Sequence, residues 1–168
     1  MVQNNKPTNQ ITPNGFIRVM SFLHMGIAAT PILLGILFFY NSEDPKFSIS
    51  GPDDLFLAIV PVVALCCIFL GDFIFRKTLR STPNHSGLRN KLNKFQTASI
   101  LKYVLLEGAS LFSMVIFSNT QNLVYLILGI VLILYLFLQR PTRQKIENSL
   151  NLKGAEKAKF ERAHEPVD

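Results

Sequence analysis

Glu107 is the residue of this chain with the greatest capacity for chemistry. It stands seven residues into an apolar run, Ile100–Phe117, where a carboxylate is costly unless it is protonated, paired or wetted. Such an acid either binds and releases a proton or small cation, or anchors a helix contact by accepting hydrogen bonds. His24 stands eight residues into Phe16–Tyr40, and Asp72 lies three from the end of Leu55–Phe75. At a rise of about 1.5 Å per residue, Glu107 and His24 reach a similar depth. His24 or Tyr103 is therefore the expected partner of Glu107. Helical spacing adds Gln96, Tyr103, Ser110 and Met114 near the face of Glu107, and Ser21, Ala28, Pro31 and Gly35 near that of His24. Small residues permit close helix approach, and hydroxyls bond across the contact. Glu107, His24, Tyr103 and Ser110 thus form the candidate proton or ion site, or polar helix contact. Asp72 and Arg76, four apart, are expected to pair at an interface, with Arg18 and Lys102 reaching headgroups on long stems.

The elements that must position these residues are four apolar stretches. Phe16–Tyr40, Leu55–Phe75, Ile100–Phe117 and Leu123–Leu138 are 25, 21, 18 and 16 residues long, against the roughly 20 that a helix needs to cross a hydrocarbon core. Hydrophobic residues make up 49% of the chain and charged residues 17%, and the charges avoid the stretches. Helices of a water-soluble bundle carry a polar face, whereas Leu123–Leu138 has none. The reading is an all-α polytopic membrane protein of four transmembrane helices, arranged as two hairpins.

Orientation follows from the basic residues. The second connection carries Arg76, Lys77, Arg80, Arg89, Lys91, Lys94 and Lys102, and the tail carries seven more from Arg140 to Arg162. Between Asn41 and Asp54 there is only Lys46, among Glu43, Asp44, Asp53 and Asp54, and Ser118–Asn122 has no charge. Both basic segments belong in the cytoplasm, which puts both termini inside. Residues 1–15 then form a cytoplasmic segment, 16–140 the transmembrane domain and 141–168 a basic tail. Pro141–Leu152 spaces Ile146 and Leu150 as a short interfacial helix would, and beyond Gly154 the tail reads as mostly charged and mobile. A cleaved leader is disfavoured because Arg18 and His24 interrupt the first apolar run. Cys66 and Cys67 are adjacent in the second stretch and read as apolar filler.

Catalytic signatures are lacking. There is no His-Glu-x-x-His, no glycine-rich phosphate loop and no Cys-x-x-Cys, and His85 and His164 stand alone in polar segments. Ser110 and Glu107 share a helix turn without a positioned base or an oxyanion site. An enzyme is not expected, and no cofactor or metal is called for. The net charge of +6 is explained by topology rather than nucleic acid, and the basic segments would attract anionic lipid.

Tyr103–Phe112, followed by Gln139-Arg-Pro-Thr-Arg-Gln-Lys-Ile146, resembles a family of small four-helix inner-membrane proteins of Bacteroidota-type bacteria that has no assigned activity. The likeness extends over most of the chain, including Phe95-Gln-Thr-Ala98, and implies a multi-pass protein of the bacterial inner membrane. Leu105-Leu-Glu-Gly-Ala-Ser-Leu-Phe112 is similar to the helix of rotary ATPase proteolipids that carries their ion-binding glutamate, which would correspond to Glu107. Proteolipids place that acid in the second helix of a hairpin and line the first with regular glycines. Here Glu107 lies in a first helix, and the first stretch offers Gly26 and Gly35. Ile17–Gly26 and Ser99–Gly108 also share a faint pattern, a basic residue leading to an ionisable one and a glycine, as a duplicated hairpin would.

The expected function is a small structural or accessory scaffold of the membrane, with the lipid bilayer, a membrane-protein partner or further copies of itself as partners. The alternative is a proton- or ion-handling component that uses Glu107.

Overall fold

The computed structural model describes residues 11–49, 55–81 and 87–166. Among them the chain is all-α: α1 Pro13–Tyr40, α2 Phe56–Arg80, α3 Leu88–Thr120, α4 Leu123–Leu138, α5 Arg143–Leu150 and α6 Gly154–Glu161. Local chemistry sets the ends. Thr12 caps α1 by accepting from the Gly15 N–H, with Pro13 in the first turn, where its missing N–H costs nothing. Gln121, at φ 56°, ends α3 in the left-handed region, and the Asn122 side chain caps α4 immediately afterwards. Thr142 caps α5, and Asn151, at φ 48°, terminates it.

Helix α3 is the central element, packed against α1, α2 and α4. Helices α1, α2 and α3 are each long and apolar enough to cross a membrane. At 16 residues α4 is shorter, about 24 Å. It forms with α5 a pair bent by 78°, so three to four helices have the length and composition of spans.

The expected boundaries differ most around the second connection. Helix α2 continues through Arg80, and α3 begins at Leu88 rather than Ile100. The reason is an amphipathic pattern inside the basic segment: Leu88, Leu92 and Phe95 recur on one face and are buried. Most of the basic loop is therefore helical, and His85 lies outside the described residues. The tail differs as well. Beyond Gly154 it folds as α6, because Phe160 is fully buried and Lys91 pairs with Glu156 at 2.7 Å.

These extensions build a cap over one end of the bundle. Phe16, Leu88, Leu92, Phe95, Ile146 and Phe160 share one apolar core. The Asn14 N–H donates to the Ala163 carbonyl at 3.1 Å, and Arg143 donates to Asn14 Oδ1 at 3.3 Å. At the opposite end the other two connections meet: Lys46 N–H donates to the Gln121 carbonyl at 2.9 Å, and Leu123 N–H to the Lys46 carbonyl at 2.8 Å. The start of α1, the start of α3 and the tail thus lie together, and Lys46 and the turn between α3 and α4 lie opposite.

Because α6 is held chiefly by Phe160, F160A is expected to cost about 3 kcal/mol of cap stability. The check is limited proteolysis at Lys157 and Lys159, which should become markedly faster in the variant while α1–α4 stay resistant.

Candidate functional site

The polar side chains of the bundle gather toward its capped end. His24 is 3% exposed on α1, its ring edge-on to Tyr103 at 4.7 Å and to Phe137 at 6.3 Å between centroids. Among the described residues neither imidazole nitrogen has a hydrogen-bond partner, nor does the buried Ser99 hydroxyl. The Tyr103 hydroxyl donates to the Gln139 carbonyl at 3.0 Å. Lys145, on α5, donates to the Leu138 carbonyl and to Gln139 Oε1, both at 3.1 Å. Partial burial holds the Lys145 ammonium below the ordinary lysine range. The charge of Lys102 adds to this, and Asp72 partly offsets it. A lysine depressed in this way lowers stability while it is charged, and the penalty fades as pH rises toward the ordinary lysine value.

Asp72 departs from its expected pairing. Its carboxylate meets Lys102 across the α2–α3 contact, not Arg76. Lys102 is 8% exposed and lies over the Phe75 ring at 5.6 Å. A cation so enclosed needs a counter-charge, whereas Arg76 is exposed on α2. Lys102 therefore turns inward rather than reaching for headgroups.

Glu107 departs as well. It is half-buried, and among the described residues its carboxylate has no hydrogen-bond or ion-pair partner. Each residue turns a helix by about 100°. Tyr103 and Ser110 point into the bundle, and Glu107 falls at the edge of that face. His24 meets Tyr103 instead, and neither is paired with Glu107.

No family model, curated protein or solved structure matches this chain. The reading of the site rests on its geometry.

Deeper in the bundle, hydroxyls bond to the backbone of the next helix. Ser110 donates to the Gly129 carbonyl at 3.2 Å and Ser113 to the Tyr125 carbonyl at 2.6 Å. Met114 fills the contact beyond them. A Cβ on Gly129 would come within 2.6 Å of its Cε, and one on Gly35 within 3.1 Å, so the tip of Met114 would have to shift to admit a side chain at either position. Among the described residues no group of three His, Cys, Asp or Glu could hold a metal.

Sequence reasoning singled out Ser110 but missed Ser113, which lies three residues on along the same face and was recoverable from that spacing. It also missed Ser99, Gln139 and Lys145. The bonds of Lys145 and Gln139 depend on the bend between α4 and α5, and no local pattern announces them.

Two substitutions test this account. With unpartnered nitrogens among aromatic rings, His24 contributes packing, so H24L is expected to leave stability unchanged or raise it by up to about 1 kcal/mol. Unfolding in mixed micelles measures this, and a loss above about 2 kcal/mol would mean that the imidazole is polar-bonded. D72N strands Lys102 and should cost about 2 kcal/mol, more than half of it recovered when K102M is added.

Proposed function

We propose that this protein is a small multi-pass scaffold or accessory component of a bacterial inner membrane, with four transmembrane helices and both termini in the cytoplasm. Its helical hairpins hold a partner or a further copy of the chain. Among the described basic residues, Lys46 alone lies at the end opposite the cap. Segments rich in lysine and arginine stay on the cytoplasmic side, so the cap faces the cytoplasm. Helix α4 then spans with some local thinning of the bilayer, and α5 lies along the interface. The resemblance to small four-helix inner-membrane proteins agrees with this placement.

The observation that carries the scaffold reading is the contrast between the interior and Glu107. The interior hydroxyls of Ser110 and Ser113 are committed to neighbouring carbonyls, and His24 is enclosed by aromatic rings. Glu107 stands half-exposed at the edge of α3, beside Gly108, around which there is open space. An intramembrane carboxylate in this position calls for a donor from outside the bundle. A neighbouring transmembrane helix supplies one.

The second reading keeps the same residue in another role. An unpaired carboxylate at this depth could load and release a proton or small cation as a neighbouring helix moves.

Glu107→Gln separates the two. As a scaffold, the variant should keep its fold and melting behaviour and bind its membrane partner roughly tenfold more weakly, about 1.4 kcal/mol. Proteoliposomes holding either form should leak protons no faster than empty vesicles. Wild-type proton or sodium flux that E107Q abolishes would replace the scaffold reading with the ion-handling one.

A further inference from the structure

We infer that a cleft between α2, α3 and α5, at the capped end of the bundle, binds the phosphate of an anionic lipid headgroup. The cleft has a volume of about 460 Å³, and Arg76, Arg80 and Lys102 all border it. Three cations face one carboxylate, Asp72, and that carboxylate is already engaged by Lys102. Arg76 and Arg80 are exposed, and neither has an ion-pair or hydrogen-bond partner among the described residues. The site therefore carries an unneutralised excess of positive charge.

The arrangement suits a phosphate. Arg76 and Arg80 are four apart on one helix, which brings their stems within about 6 Å on the same face. Two guanidinium forks at that spacing can close on the oxygens of one phosphate, each presenting paired N–H donors. The Ser149 hydroxyl, on the far wall, adds a donor from α5.

A lipid fits better than a free anion because the cleft is two-sided. Phe75 and Leu79 line it beside the arginines, so apolar surface lies where a glycerol and the first acyl carbons would follow the phosphate. The inference rests on the membrane reading, in which this end of α2 emerges at the cytoplasmic headgroups. There α5, bent by 78° from α4, lies over the cleft's other side. A phosphatidylglycerol headgroup would join α2, α3 and α5 at the level where the cap begins.

The test uses the full chain, reconstituted in phosphatidylcholine with a minor fraction of phosphatidylglycerol, then extracted for native mass spectrometry. Wild type should retain phosphatidylglycerol. R76Q/R80Q should lose it by roughly tenfold or more, whereas K153Q/K159Q, which removes the same charge from the exposed tail, should keep it. R76K/R80K, which preserves charge without the forks, should fall between. Equal retention by all variants, or equal loss from both glutamine pairs, would overturn a defined site in favour of general surface attraction. Displacement of the lipid from wild type by millimolar inorganic phosphate would overturn the lipid assignment and leave a free phosphate as the ligand. Release of the wild-type chain from membranes by alkaline carbonate would instead defeat the membrane reading, and it is seen before any lipid is measured.

Discussion

Among hydrocarbon chains, burying one apolar helix face against another gains little, because lipid is as apolar as leucine. Helices in that medium are held by close approach and by the few hydrogen bonds that reach between them. The contacts of α3 have this character. Ser110 and Ser113 donate to carbonyls of α4, and Met114 occupies the space left by Gly35 and Gly129. Ala109 packs with Ala64 and Leu132, where small side chains bring α2 and α4 close to α3. The outer faces, free of this requirement, are filled with exposed leucine, isoleucine, valine and phenylalanine.

The capped end follows another rule. There, Leu88, Leu92, Phe95, Ile146, Leu152 and Phe160 form a core of large apolar side chains, the kind that water drives together. Charged residues surround it, and Lys91 pairs with Glu156 across it. One helix, α3, therefore packs in two different ways. Its first three turns pack by the hydrophobic effect, and its later turns by small residues and hydroxyls. The pair of buried Lys102 with half-buried Asp72 lies near the change from one regime to the other.

How much of this was legible follows from which signals are local. The apolar runs announced the helices, and Leu123–Leu138 coincides with α4 because a capping asparagine and a following proline bound it closely. The beginning of α3 was obscured because Leu88, Leu92 and Phe95 are diluted by four basic residues, Arg89, Lys91, Lys94 and Lys102. Counting charges read that stretch as a loop, whereas periodicity reads it as a helix. α6 was hidden because one phenylalanine in a charged tail gives little signal on its own. At the site, a similar depth for His24 and Glu107 could be read from rise per residue, but the contact forms between His24 and Tyr103. The absence of Glu107 from their contact could not, since it turns on a rotation of about 40° between positions 103 and 107. Partner choice for Asp72 had the same difficulty: the i,i+4 neighbour is visible in sequence, but the lysine on the next helix is not.

The cap also orders events during synthesis. Asn14 and Ala163, joined by a backbone hydrogen bond, are 149 residues apart in the chain, and Phe16 shares its core with Phe160. The first five helices can form as they emerge from the ribosome, but this core cannot close until α6 has been made. Until then Phe16, Leu92 and Phe95 lack the cover that Phe160 gives them. Closure of the cap is thus the last step of folding, because its final member is made after every other helix.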